Sequence, residues 1–181
     1  KDCNGCENTS GDWNFVTSNG EAGRIDFSIN NSSGNLYISG NVINDNSWHY
    51  ISLTRNSVNG DVKFFIDGIL VNSGIGPTGL VSNNNNLQFG LQQIYNPAYY
   101  EGFLDDLSIW NTTLTQQEIQ QYMSSPPTGN EAGLVGYWNF NEGSGTTVTD
   151  LSGNGNNGTI NGAAWSTDTP AQYANNCTAT D

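Results

Sequence analysis

Trp48-His-Tyr-Ile-Ser-Leu-Thr-Arg55, Val62-Lys-Phe-Phe-Ile-Asp-Gly-Ile-Leu-Val71 and Gly102-Phe-Leu-Asp-Asp-Leu-Ser-Ile-Trp110 decide how this chain folds. The first alternates polar and apolar residues as a half-buried strand does. In the second, Asp67-Gly68 separates two β-branched and aromatic runs, the strongest short-range signal of a tight hairpin. The third is another strand pattern, with a carboxylate on its apolar parity. Working outward, the alternation predicts strands near 13–17, 24–29, 35–39, 48–55, 62–66, 69–73, 86–91 and 103–110. Asn30-Asn-Ser-Ser-Gly34 and Asn83 to Asn85 are polar turn clusters. One helix is predicted over 114–123. Thr115 is its N-cap, with Glu118 at capping-box spacing. Leu114, Ile119, Tyr122 and Met123 form its apolar face, and Pro126-Pro127 ends it.

At 181 residues the chain is long enough to bury one core. Four Lys plus Arg stand against 17 Asp plus Glu, a formal charge of −13. Nucleic acid is therefore disfavoured as a partner, since phosphate contacts need cations. A negative surface suits neutral sugars, cationic partners and divalent metals, and equally it suits plain solubility in a salty exterior. No apolar run approaches the roughly 20 residues of a membrane span. With no initiator Met and no signal peptide, the sequence is expected to begin downstream of its targeting segment.

Cys3, Cys6 and Cys177 lie at the two extremes. The Cys3-Asn-Gly-Cys6 spacing suits redox or zinc chemistry, but a zinc site needs about four ligands and His49 is the one histidine. A structural disulfide in an oxidising compartment is the better reading, either within the first pair or from one of them to Cys177. The odd count leaves one thiol over, or pairs it outside the chain.

In their order and spacing, the three opening stretches resemble the laminin-G-like (concanavalin A-like jelly-roll) family of bacterial secreted or surface type, with its W-H-x-v, Y-v-D-G and G-x-i-D-e-v-x-i-w signatures. The resemblance implies an all-β, two-sheet antiparallel jelly-roll sandwich with one short helix near 115–123. It also implies a secreted or cell-surface module that holds glycans or partner proteins rather than an enzyme. The family's opening strands have no counterpart before Asp12. Leu134-Val-Gly-Tyr-Trp138 through Trp165 resembles a segment that closes some members and opens others. So 134–165 is either a closing segment of a fragment, the favoured reading, or a displaced first strand. The implied organisation is a Cys-containing segment over 1–12, the jelly roll over 13–168 and a linker over 169–181.

Alternation places Asp105 with Phe103, Leu107 and Ile109 on the core side, and Asp106 toward solvent. A buried carboxylate must bind a cation or collect hydrogen bonds. In jelly rolls resembling this one, the position of Asp105 often helps to hold calcium, which takes six to eight oxygens. The alternative is satisfaction by backbone N–H groups. Asp150-Leu-Ser-Gly-Asn-Gly-Asn156 imitates the ligand spacing of a calcium loop, which makes Asp150 a second candidate metal ligand. It lacks the bidentate Glu and the flanking helices, however, and a compact turn held by Asp150 is favoured.

The connection 92–101 offers Tyr95, Asn96, Tyr99 and Tyr100 as ligand contacts: flat rings for stacking on sugars and an amide for hydroxyls. Trp13 is assigned to the same rim. The competing role for these rings is to pin the loop to the sandwich. Trp48 and Trp138 belong to strand patterns and are expected to pack. His49 has no nucleophile or acid motif beside it and is expected to be an exposed strand residue. Glycosidases of this architecture display clustered carboxylates on one strand, and none is visible here. The favoured function is thus non-catalytic binding of a polysaccharide or glycoprotein glycan, or adhesion. The rivals are an assembly module that packs on neighbouring domains or subunits, and a fragment of a polysaccharide-degrading jelly roll.

Overall fold

Strand-forming alternation and tight turns produce two three-stranded antiparallel sheets in the first hundred residues. The computed structural model describes residues 13–17, 22–31, 34–81, 86–92 and 98–170, which group into two units, Lys1–Glu101 and Gly102–Asp181. Cys3, Cys6, Cys177, Tyr95 and Asn96 lie outside the described residues.

In the first unit, β1 (Trp13–Thr17), β2 (Arg24–Asn31) and β3 (Gly34–Val42) form one sheet in that order. The second sheet comprises β4 (Ile51–Arg55), β5 (Asp61–Ile66) and β6 (Ile69–Ile75). Asp67 and Gly68 make the two-residue β5–β6 turn, and both have positive φ, 53° and 71°. Those angles are what a twist-matched hairpin requires and what Asp-Gly supplies.

The sheets pack through β3, which lies against β5 and β6. Phe27, Ile29 and Ile38 from one sheet interleave with Val62, Phe64 and Ile66 from the other. The Phe15 ring sits 5.2 Å from that of Phe27 and 5.9 Å from that of Phe64. Burying each such side chain contributes about 1.5–3 kcal/mol. Gly40 lets the layers meet: a Cβ there would come within 2.6 Å of the Phe64 ring and 2.8 Å of the Ile25 carbonyl. Asn72 Nδ2 donates to the Ser39 carbonyl at 2.8 Å, tying β6 to β3. On β2, buried Asp26 accepts from Arg24 Nε at 3.1 Å and from the Tyr37 hydroxyl, so its charge is paired rather than stranded. β7 (Leu91–Gln92) and β8 (Ala98–Tyr99) form a small separate pair.

The second unit is built on β9 (Leu107–Trp110), which pairs antiparallel with β10 (Leu134–Trp138). Between them runs α1 (Gln116–Ser124), the one helix among the described residues. It opens on the expected capping box: Thr115 Oγ1 accepts from Glu118 N, and the Glu118 carboxylate accepts from Thr115 N. Ile119 is buried and Tyr122 packs on Trp110, ring centroids 4.8 Å apart. β11 (Thr147–Val148) and β12 (Gly158–Thr159) form a last short pair.

The all-β antiparallel architecture with a single short helix is thus the one the sequence implies, and three strands are shorter than their patterns. The strand expected over 48–55 starts at Ile51, because the Tyr50 amide donates to the Asp67 carboxylate at 2.9 Å instead of to a ladder partner. The one expected over 103–110 starts at Leu107, because Asp106 takes a left-handed φ of 46° that ends the alternation. Of the strand expected over 86–91, Leu91 pairs, with Tyr99, and the pairing continues one residue beyond it, Gln92 with Ala98.

Candidate functional site

The candidate residues fall into three places. In the first unit, Tyr99 is 73% exposed and Tyr100 46%. Their backbone is fixed: Leu91 pairs with Tyr99, and the Tyr100 amide donates to the Gly90 carbonyl at 2.9 Å. Two adjacent rings are therefore held out on a tied stretch of chain. Trp13, on β1, is also exposed, at 42%.

In the second unit, Asp105 and Asp106 line a cleft of about 290 Å³ together with Tyr137, Asn139 and Asn141. The left-handed turn at Asp106 brings both carboxylates to it. Asp105 Oδ1 accepts from the Asp106 amide at 3.0 Å, and Asp106 Oδ1 accepts from the Tyr137 hydroxyl at 2.6 Å. Asp106 is therefore half-buried and bonded, not the solvent-facing residue that alternation predicts. Burial, and then the neighbouring Asp106 charge, push the Asp105 carboxyl up. The two carboxylates are hard donors of the kind that calcium accepts, and one oxygen of Asp106 is already engaged by the Tyr137 hydroxyl.

Asp150 stands in different chemistry. Its carboxylate accepts three backbone amides: Tyr137 at 3.0 Å, Ser152 at 2.9 Å and Asn156 at 2.8 Å. Burial alone would raise its pKa, but these bonds, with the Ser152 side chain, hold it down at about 2. The alternate polar residues that follow serve one strand. Ser152 Oγ donates to the Val135 carbonyl at 3.0 Å, Asn154 Nδ2 to Leu134 and Val135 at 3.1 Å, and Asn156 Nδ2 to Val135 at 2.8 Å. Leu151 N adds a bond to the Tyr137 carbonyl at 2.8 Å. The loop thus covers the edge of β10 that β9 leaves open. Trp138, expected to pack, is buried, and its Nε1 donates to the Asn156 carbonyl at 2.9 Å.

One cluster escaped the sequence reading. His49 is not an exposed strand residue: its side chain is 17% exposed and precedes the strand. Nδ1 lies 2.8 Å from Asp67 Oδ2, and Nε2 lies 3.1 Å from Asp45 Oδ1. The Trp48-His49 and Asp67-Gly68 signatures, read separately in the sequence, grip each other. Each motif hinted at a strand or turn, and neither said that its polar residue was the other's partner. Among the described residues no three His, Cys, Asp or Glu side chains are grouped so as to hold a metal. No helix there is long and apolar enough to cross a membrane.

Packed antiparallel sheets in the first unit and a single capped helix among the described residues of the second define the class as an all-β antiparallel sandwich. The family model described as "Concanavalin A-like lectin/glucanases superfamily" matches residues 4–120, and the chain belongs to that family. Among curated proteins it is similar to the Rattus norvegicus protein "Sushi, von Willebrand factor type A, EGF and pentraxin domain-containing protein 1", 31% identical over 104 residues. The Mus musculus protein of the same name is 30% identical over 104 residues. Each match covers 53% of this chain and 3% of the relative. No solved structure matches the chain.

Proposed function

We propose that this domain is a non-catalytic carbohydrate-binding or adhesion module of a larger secreted or cell-surface protein, and that it takes a polysaccharide or glycoprotein glycan. The observation that carries the reading is the pair of exposed rings at Tyr99 and Tyr100 on a backbone tied by the β7–β8 pair. Tyrosine rings, which turn about only two side-chain bonds, lose little conformational entropy when a sugar stacks on them from a backbone that is already tied. The names of the relatives describe proteins of several domain types, which supports a modular setting. Affinity per site is expected to be micromolar to millimolar, raised by multivalency. Replacing Tyr95, Tyr99 and Tyr100 together by Ala is expected to abolish retention on a glycan array while far-ultraviolet dichroism stays unchanged. Retention equal to that of the wild type would remove the site.

Calcium is part of the same reading. The paired carboxylates of the cleft support this: Asp105 would hold the ion, with Asp106, Asn139 and Asn141 lining the same space. Bound there, calcium would neutralise the paired carboxylates and stiffen the chain leading into β9. Asp150 is a weaker candidate because both its oxygens are taken by amides. Chelator is expected to lower the melting temperature, and Asp105→Ala to erase that sensitivity. A melt indifferent to chelator would refute calcium binding.

The assembly reading has one specific observation behind it: Ile69, Leu70 and Ile75 are exposed along β6, an end strand of its sheet. A concentration-dependent mass in sedimentation, with no glycan retained by the wild type, would favour it.

A further inference from the structure

We propose that His49, whose ring the β5–β6 turn holds, is a proton-operated latch that fastens Asp45 of the connection between β3 and β4 and releases it as the pH rises. The argument rests on the donor inventory. Both ring nitrogens lie within hydrogen-bond distance of a carboxylate oxygen, Nδ1 to Asp67 at 2.8 Å and Nε2 to Asp45 at 3.1 Å. An ionised carboxylate only accepts, and a neutral imidazole carries a single N–H. Both bonds therefore exist together only while the ring is the imidazolium.

The electrostatics agree with the geometry. Burial disfavours the charged ring, but the bonds to Asp67 and Asp45 and the attraction of their charges outweigh it, and the pKa is raised. Asp45 is correspondingly held below the usual carboxylate range, by His49 and then by the Ser47 amide. The charged groups that face the ring are Asp67 from the β5–β6 turn and Asp45 from its own connection.

The two partners are unequal. Asp67 is built into the fold: its Oδ1 accepts from the Tyr50 amide at 2.9 Å, and its own amide donates to the Tyr50 carbonyl at 2.8 Å. Asp45 is 60% exposed, and its Oδ1 also accepts from the Ser47 amide at 2.9 Å. When the ring loses a proton, the remaining N–H stays with the shorter, anchored Asp67 bond and Asp45 is let go. The segment freed is 45–47, since Ile43 remains tied through its amide to the Gly23 carbonyl at 2.9 Å and the Asn44 side chain lies against Gly23. The sign follows from linkage. With the folded pKa above the unfolded value, the latch stabilises fully below about pH 6.5 and is lost as the pH rises through the folded pKa. As the sole histidine, His49 is the one side chain whose ordinary pKa lies in this range.

The test uses the full chain and two proton-NMR readouts. The His49 ring resonance should titrate with a midpoint above the ordinary value of about 6.5. Protection of the Ser47 amide, corrected for intrinsic base catalysis, should fall as the pH passes that midpoint, while protection in β5 stays constant. Asp45→Asn, on an exposed side chain, should lower the midpoint and flatten the Ser47 profile without unfolding the domain. His49→Gln should flatten the profile as well. A midpoint at or below about 6.5, or a Ser47 profile that keeps its slope in Asp45→Asn, would overturn the latch.

Discussion

The two units hold themselves together by different means. Lys1–Glu101 is organised around apolar side chains that interleave between two sheets, with Phe27, Val62 and Phe64 almost fully inaccessible. In Gly102–Asp181 the strands are shorter, and polar side chains act directly on the backbone. Asp150 takes three amides, and Ser152, Asn154 and Asn156 cover the β10 carbonyls. The Glu131 carboxylate takes the amides of Thr128 and Gly129 at 2.7 and 2.9 Å. A long strand of alternating residues can afford to be anonymous at each position. β10, with β9 as its one strand partner, instead has named side chains at its open edge. The first unit should therefore be most sensitive to lost volume, and the second to lost acceptors.

The largest effect is expected from Phe64→Ala. The ring is fully buried between the sheets and touches the position where Gly40 makes room for it. Truncation should cost about 3–5 kcal/mol in urea denaturation, the usual range for a core Phe. A loss below about 1 kcal/mol would mean that the sheets do not depend on this contact, and would break the contrast at its stronger end.

Next comes Asp150→Ala, which strips acceptors from three amides, that of the buried Tyr137 among them. An expected cost of about 2–3 kcal/mol follows from stranding buried donors that had a charged partner. The pH dependence has a definite sign. A carboxyl at about 2 in the folded chain, against an ordinary 3.8, contributes stability that is complete above about pH 4 and lost as the pH falls through about 2. The wild type should lose stability across that acid window more steeply than Asp150→Asn. Equal acid profiles would show that the amides do not set the charge of Asp150.

This contrast also explains what was legible in the sequence. The sandwich was, because alternation and Asp-Gly act locally and repeat: β1, β5, β6 and the turn at 67–68 stand where the pattern puts them. The helix was, through Thr115 and Glu118. The strand over 103–110 was half legible, since nothing in Asp105-Asp106 announces that the second acid adopts a left-handed backbone. The clasp at His49 was hidden for a different reason. Its partners stand four and eighteen residues away, and pairing at the longer separation emerges only when the β5–β6 turn returns to the start of β4. The loop after Asp150 was legible as a turn, but not as the cover of a strand edge, because its targets are carbonyls some twenty residues earlier.

The smallest effect is expected at the helix start, and it sharpens the contrast by locating its lower bound. Thr115→Ala removes the hydroxyl that accepts from the Glu118 amide at 3.2 Å and donates to the Glu118 carboxylate at 2.7 Å. Loss of an N-cap hydroxyl costs about 1 kcal/mol, because the freed amide is exposed and water replaces the cap in part. Thr115→Ser should restore most of that stability, since it keeps the acceptor and the capping box. Amide exchange gives the local readout: the Glu118 amide should lose protection in Thr115→Ala, while the Tyr137 amide, held by Asp150, should not. If both lose protection together, the cap and the covered strand edge open as one cooperative element, and the second unit is stabilised as a whole rather than bond by bond.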